Sequence, residues 1–313
     1  MNQKRKNSFY LIIIFISGCL AVLPLLTVSY ILTWFFFLAV YMTLALSYDI
    51  VGGDLGYINL GHSVSFGLSA YAAAIMLNHN FSPLPAFVLA VLLTTAFSAI
   101  VSYPLFRLRG AYFALASFGL INLAEMLATN LRGLTGGSGG ISTPSGNHIL
   151  EAYYVSIAMA IGTIIFKRCL AQSRFGLALI SIREDEEGAG SFGIPAYLYK
   201  CLALIISSVP AGLSGCIYVW NITYISPSSV FGLEIALGPV IMAMLGGTGT
   251  VAGPVIGTIF ITLTQELFWT RVPYFHLTMY GAVLVLLGLF MPGGLVRVRF
   301  LKQLIIRFGF GKT

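Results

Sequence analysis

Four of the ten acidic residues of this chain stand in a row, Glu184, Asp185, Glu186 and Glu187, between Arg174 and Arg183 upstream and Gly193 downstream. They lie in Ser173–Pro195, the one substantial polar interruption in an otherwise apolar sequence. A chain that gathers its few charges in one internal stretch, between apolar runs, uses that stretch to meet something in water. Leu177–Ile180 beside Ser181 and Arg183 reads as a short amphipathic helix. The acidic tetrad follows, and Gly188-Ala189-Gly190 is expected to loosen the chain before Phe192-Gly193-Ile194-Pro195. Apolar contacts beside a charge cluster suit a docking segment; the plainer alternative is a solvated loop.

Elsewhere the residues offer little catalytic chemistry. The terminal Gly311-Lys312-Thr313 resembles the end of a phosphate-binding loop, but that loop needs a glycine where Ile306 stands, and no helix follows to receive the phosphate. The expectation is that this chain binds no nucleotide of its own. His62 has no second His or Cys at ligand spacing, so it reads as a hydrogen-bonded packing residue and no metal is expected. Glu125 and Glu234 fall within apolar runs. An acid in hydrocarbon faces protein or a water-filled cavity, so both are candidates for lining a solute path or relaying a proton. Gly52–Gly67 (GGDLGYINLGHSVSFG) and Gly246–Gly257 (GGTGTVAGPVIG) each cluster small residues where an apolar run begins. Such stretches permit close helix packing or mark a broken helix beside a path. Gly56, Asn59, Gly61, His62, Gly246 and Gly247 are the path candidates on that ground, and the paired interruptions suggest internal duplication. The sequon at Asn221 is read as incidental.

The elements that must position these residues are membrane helices. Of 313 residues 58% are hydrophobic and 9% charged, and the mean hydropathy is +0.92. Soluble domains carry about 25% charged residues, so the chain reads as an all-α, polytopic helical membrane protein. The long continuous runs exclude a β-barrel. About ten spans are expected: Phe9–Val28, Ile31–Ile50, Ile58–Leu77, Leu84–Phe106, Ala111–Asn130, Tyr153–Lys167, Cys201–Trp220, Ile235–Leu245, Val251–Phe268 and Tyr274–Met291. Two are short, which allows half-helices near Ile235–Phe268. The first reads as an uncleaved span rather than a signal peptide.

With both termini cytoplasmic, all of the 17 Lys and Arg residues fall inside except Arg132 and Arg271. That bias obeys the positive-inside rule and argues against a nucleic-acid surface, which would cluster the charges on one soluble face. Cys19, Cys169, Cys201 and Cys216 lack disulfide or zinc spacing and read as packing residues. The outer loop, about 131–150, is rich in Gly, Ser and Thr and suits a loop or short lid. Nothing is long and polar enough for a soluble domain, so 1–313 is taken as one transmembrane domain whose energy comes from other chains or an ion gradient.

Seven stretches carry a family likeness: Gly56–His62 (GYINLGH), Leu108–Leu115 (LRGAYFAL), Leu134–Ile141 (LTGGSGGI), Ser173–Gly176 with Ile182–Glu186 (SRFG, IREDE), Tyr224–Pro227 (YISP), Leu245–Thr250 (LGGTGT) and Phe290–Leu295 (FMPGGL). In that order they resemble permease subunits of bacterial ABC importers for branched-chain amino acids, most closely the M-type of the two paired permeases. The resemblance implies a bacterial inner-membrane protein working with a second related permease, two cytoplasmic ATPases that bind ATP and Mg²⁺, and an extracytoplasmic substrate-binding protein. It makes residues of about 170–198 the ATPase-coupling loop: Arg174, Gly176, Arg183, Glu184–Glu187 and Gly193. One departure is Leu177-Ala178-Leu179, where the family often has Arg-Ala-Leu. Related permeases carry urea or amides, and the residues alone leave open a secondary transporter driven through Glu125 or Glu234, although they show no concentrated set of intramembrane ionisable groups.

Overall fold

The computed structural model describes residues 17–18, 20–25, 29–144, 148–271 and 294–297. The expected first and last spans, both termini and the terminal GKT fall wholly or mostly outside these residues. Within them, helices dominate because a chain in lipid must satisfy its backbone N–H and C=O groups internally. They are α1 (Ser29–Asp49), α2 (His62–Asn78), α3 (Pro83–Leu105), α4 (Ala111–Asn130), α5 (Ile149–Gln172), α6 (Arg174–Glu184), α7 (Glu186–Ser191), α8 (Ala196–Asn221), α9 (Leu233–Gly246) and α10 (Ala252–Arg271).

Six helical stretches among the described residues are long and apolar enough to cross a membrane: Ser29–Asp54, Pro83–Leu105, Ala111–Asn130, Ile149–Gln172, Ala196–Asn221 and Pro227–Gly246. Two further expected spans appear as the shorter helices α2, of 17 residues, and Ala252–Phe268. The helix α9 alone has 14 residues, about 21 Å at 1.5 Å per residue, too short for a core of roughly 30 Å. The preceding turn Pro227–Phe231 extends it to Pro227–Gly246.

The helix α8 lies inside the bundle, packed on α2, α3, α1 and α5. Small residues make its contact with α2. A side chain at Gly215 would run into the Phe66 carbonyl and the Ser69 hydroxyl, and Ser69 Oγ donates to the Gly212 carbonyl at 2.7 Å. Close approach of this kind, with hydroxyls bonding across the interface, is how helices associate where lipid is as apolar as leucine. Cys216 is buried here, whereas Cys169 is exposed on the bundle surface and packs nothing inside it.

Gly246, Gly253 and Gly257 do the same for α9 and α10. A side chain at Gly257 would meet the Met242 carbonyl, and one at Gly246 the Gly253 carbonyl. Between these helices the chain turns through Gly247 and Gly249, at φ +121° and +71°, values open to glycine alone at low cost.

The helices alternate in direction and sort the charges. The ends of α1, α3, α5 and α9 and the beginnings of α2, α4, α8 and α10 lie at one end, joined there by contacts among Gly53, Tyr57, Arg109, Lys167, Lys200 and Gly249. The polar stretch α6–α7 lies there too, reaching Gly53 through Arg183 and Lys200 through Glu186. This is the basic end. At the opposite end, the loop that the glycine and serine content marks as irregular is held by a two-stranded antiparallel pair, β1 (Ile141–Ser142) with β2 (Tyr224–Ile225), in register Ile141↔Ile225. Thr143 N–H donates to the Thr223 carbonyl at 2.7 Å, and Asn78 Nδ2 to the Ser142 carbonyl at 2.9 Å.

If the glycines set the α9–α10 distance, Gly257→Val destabilises the fold by about 1–3 kcal/mol. The check is the thermal midpoint in detergent. Gly238→Ala, which has nothing within 4 Å of the new methyl group, should leave that midpoint in place.

Candidate functional site

Two charged knots meet at the basic end, and the polar stretch is tied into both. The helix α6 begins at Ser173, whose Oγ accepts from Gly176 N–H at 3.1 Å, a standard N-cap. Gly176 is there because any side chain would strike the Leu170 carbonyl. Ala178, Leu179 and Ile182 are buried, Leu179 and Ile182 in a cluster with Ile50, Val51 and Leu55. Arg174, Leu177, Ser181 and Glu184 are exposed, and their spacing of three, four and three residues places them on one helix face. An amphipathic helix is therefore present, longer at each end than the sequence suggested.

The expected loosening at Gly188-Ala189-Gly190 does not occur. Asp185, in extended backbone, accepts from Glu187 N–H at 3.1 Å and Gly188 N–H at 3.0 Å, and so starts the new helix α7 across those glycines. Glu186 and Glu187 sit in its first turn, where the helix dipole favours anions. The helix ends at Phe192, 90% exposed, before Gly193 at φ +81°.

The first knot joins Asp49, Asp54 and Lys167. Lys167 Nζ lies 2.6 Å from Asp49 Oδ2 and 3.3 Å from Asp54 Oδ2, with all three side chains at most 3% exposed. Asp49 also accepts from Gly249 N–H, at 2.8 Å to Oδ1 and 3.1 Å to Oδ2. Asp54 Oδ1 is buried with no hydrogen-bond partner. Asp54 closes a π-helical turn, Ile50–Asp54, that continues α1; such turns recur at functional positions. The turn is also where the polar stretch attaches. Arg183 Nη1 donates to the Gly53 carbonyl at 2.7 Å, and its guanidinium pairs with Glu184 at 2.5 Å.

The second knot centres on Lys200, 2% exposed, whose Nζ lies 2.6 Å from Glu186 Oε2 and donates to the Tyr57 hydroxyl at 2.7 Å. Arg109 approaches Glu186 Oε1 at 3.9 Å. Tyr57 is held edge-on by Phe106 and Phe113.

These contacts sort the residues that the sequence singled out. Arg183 and Glu186, each with a side chain 31% exposed, reach inward to the Gly53 carbonyl and to Lys200. Arg174, Glu184, Asp185 and Glu187 remain on the surface. Gly56, at φ +82°, lies under the Arg183 side chain, which a Cβ would strike. Gly61 approaches the Ser117 carbonyl, Asn59 is buried, and buried His62 shares a hydrogen bond with Ser47 Oγ at 2.7 Å. Gly246 and Gly247 form the turn that presents Gly249 to Asp49. Glu125 and Glu234 are not brought to this cluster. Each lies a dozen or more residues along α4 or α9 from the basic end, about 20 Å on a helix, and Glu234 is exposed.

Asp49, Lys167 and Lys200 were missed as site residues, and the expectation that ionisable groups are nowhere concentrated inside the bundle is overturned by the buried Asp49–Asp54–Lys167 knot. Each stands at the edge of an apolar run, where a charge reads as a flank. The available signal was Asp49 at the end of an apolar run and only five residues before Asp54. Among the described residues no group of three His, Cys, Asp or Glu could hold a metal ion.

Removing one partner from a buried pair leaves an uncompensated charge. Glu186→Ala strips the buried Lys200 and should cost about 3 kcal/mol of stability. Lys200→Met leaves Glu186 with its carboxylate partly in water and should cost about 1 kcal/mol. Thermal midpoints of the two variants in detergent test the order, and the reverse order would contradict the assignment of Lys200 as the enclosed partner.

The family model described as "Branched-chain amino acid transport system / permease component" matches residues 30–288. The Escherichia coli (strain K12) protein "High-affinity branched-chain amino acid transport system permease protein LivM" is 26% identical over 294 aligned positions, covering 82% of this chain and 68% of that protein. Its Salmonella typhimurium counterpart matches to the same extent. The "Autoinducer 2 import system permease protein LsrC" of Salmonella paratyphi B is 26% identical over 249 positions, covering 76% of this chain and 70% of that protein. No solved structure matches the chain.

Proposed function

This chain belongs to the family of branched-chain amino acid transport system permease components, an ABC permease family, and on that premise we propose that it forms half of an importer's membrane passage for branched-chain or other hydrophobic amino acids. It is a multi-pass membrane protein of about ten spans in one domain, in the bacterial inner membrane, with the basic end and both termini in the cytoplasm. A second, related permease completes the passage. Two ATPases on the cytoplasmic side bind ATP and Mg²⁺ and do the hydrolysis, and a substrate-binding protein delivers the cargo outside.

The observation that carries this reading is the division of labour within α6–α7. One set of side chains, Leu179, Ile182, Arg183 and Glu186, is locked into the bundle. Another set, Arg174, Leu177, Glu184, Asp185, Glu187 and Phe192, is exposed, with Asp185 capping α7 and Glu184 pairing with Arg183. A short helix anchored on one side and displaying charge with two apolar side chains on the other fits a surface that an ATPase pushes. Hydrophobic amino acids are the cargo favoured by the LivM relatives, and the LsrC relative names the competing one.

The test is uptake by the full complex in vesicles loaded with ATP. Arg174→Glu with Glu187→Arg should cut uptake at least about tenfold, equivalent to roughly 1.4 kcal/mol of coupling, with unchanged membrane abundance. Normal uptake would remove the docking surface. Wild-type uptake of leucine that survives an ionophore but stops without ATP supports the reading; uptake that follows the gradient instead would overturn it. Saturable autoinducer 2 uptake without leucine uptake would reassign the cargo.

A further inference from the structure

We propose that Asp49 is a positioning residue, the joint through which movement of α6 reaches the glycine turn between α9 and α10. The inference rests on the ATPase-driven reading above and adds the route by which the push enters the membrane.

Two paths lead from α6 to the same place. Arg183 holds the Gly53 carbonyl at 2.7 Å. Separately, α5 runs into α6 through Ser173 alone, and Lys167 near the end of α5 is bound to Asp49 and Asp54. A displaced α6 therefore pulls on the π-turn directly through Gly53 and indirectly through Lys167. Asp49 lies one helical turn before Gly53, and the backbones of Gly53 and Gly249 touch so closely that a Cβ on Gly53 would overlap Gly249 N.

From Asp49 the link continues to a segment that can move. Both carboxylate oxygens of Asp49 take the Gly249 N–H. Around it the turn of residues 247–251 joins α9 to α10, with Gly247 and Gly249 at positive φ and one brace, Thr250 Oγ1, which donates to the Gly247 carbonyl and accepts from Gly253 N–H, both at 2.9 Å. This turn is thus the compliant part, and Asp49 grips its middle residue, Gly249.

The ionic character matters for mechanics. Apolar packing holds membrane helices by many weak van der Waals contacts, none of them directional. A buried ion pair with its hydrogen bonds has one favourable arrangement and a large penalty for losing a partner. Four elements, α1, the π-turn, α5 and the α9–α10 turn, are held in fixed relation by this one arrangement, and α6 is bonded to it. Asp54 is the more loosely held carboxylate of the knot: Lys167 stands at 3.3 Å from it against 2.6 Å from Asp49, Gly249 bonds Asp49 alone, and Asp54 Oδ1 has no hydrogen-bond partner.

The experiment uses the full importer, this chain with its partner permease, both ATPases and the binding protein, in proteoliposomes. ATP hydrolysed and amino acid imported are measured on the same vesicles. Asp49→Leu should leave receptor-stimulated ATP turnover within about twofold of wild type while import falls at least about tenfold, so that ATP used per molecule imported rises. A merely structural role would lower both in proportion to the assembled complex, and an unchanged ratio overturns the proposal. Where Asp49→Leu fails to assemble, Lys167→Gln keeps a donor toward Asp49 and should still raise the ratio about threefold; an unchanged ratio there overturns it equally. Wild-type vesicles separate the two levels. If they import without consuming ATP, the driving reading falls and the joint with it; if they couple normally and the variants do too, only the joint falls.

Discussion

An ammonium group sealed inside a helical bundle needs opposite charge at contact distance, because desolvating a lone ion costs several kcal/mol. Lys167 meets that requirement with Asp49 at 2.6 Å and Asp54 at 3.3 Å, and most of the basic end follows from it. The two acids come from α1 and its π-helical extension, so α5 must run beside α1. Asp49 has oxygen capacity left over, and Gly249 N–H fills it, which draws the α9–α10 turn inward. Main chain at that depth has no water to bond, so an ion that also accepts from backbone solves two problems with one side chain. Two carboxylates against one ammonium leave the knot short of positive charge, and the nearby Arg183 guanidinium bonds a carbonyl of the same π-turn.

Glycine sets the distances over which these bonds can form. Gly53 and Gly249 touch main chain to main chain, Gly56 clears the passage of Arg183, and Gly246, Gly253 and Gly257 let α10 lie against α9. Each replaces a side chain that would hold two backbones apart by more than a hydrogen bond can span. Where the sequence shows clustered glycines they look like a broken path-lining helix; in the structure they serve close approach at the same end as the ions. The polar and the glycine-rich features, far apart in sequence, are parts of one junction.

Much of this was legible beforehand. Apolar runs of membrane length gave the helices of the described region nearly to their ends, because in lipid hydropathy and backbone satisfaction demand the same thing. That Arg174–Glu184 holds an amphipathic helix was readable, but its faces were not: Leu177 lies exposed beside Arg174, and Arg183 reaches back to the Gly53 carbonyl. Nor was the continuation. Gly188-Ala189-Gly190 suggested a loose segment, and only the Asp185 side chain, capping two N–H groups, makes it helical. The junction itself was invisible because pairing cannot be read from spacing: Asp49 and Gly249 are 200 positions apart, and Asp54 and Lys167 are 113 apart. A lysine at the end of an apolar run looks the same whether it reaches water or turns back into the bundle. Glu125 and Glu234, the acids that stood out by position, turned out to be remote from the cluster.

The strand pair at the opposite end works on a different principle. Ile141–Ser142 and Tyr224–Ile225 are joined through main-chain groups that every residue except proline supplies, supported by the Asn78 amide on Ser142. Side chains there can be exchanged for many others without undoing the clasp, so that face is free to diversify toward whatever it confronts. The basic end has no such latitude. Where Lys167 meets Asp49 and Asp54 the geometry is written in ions, and exchanging Lys167 alone strands two buried carboxylates, so a change there has to be matched at Asp49 or Asp54.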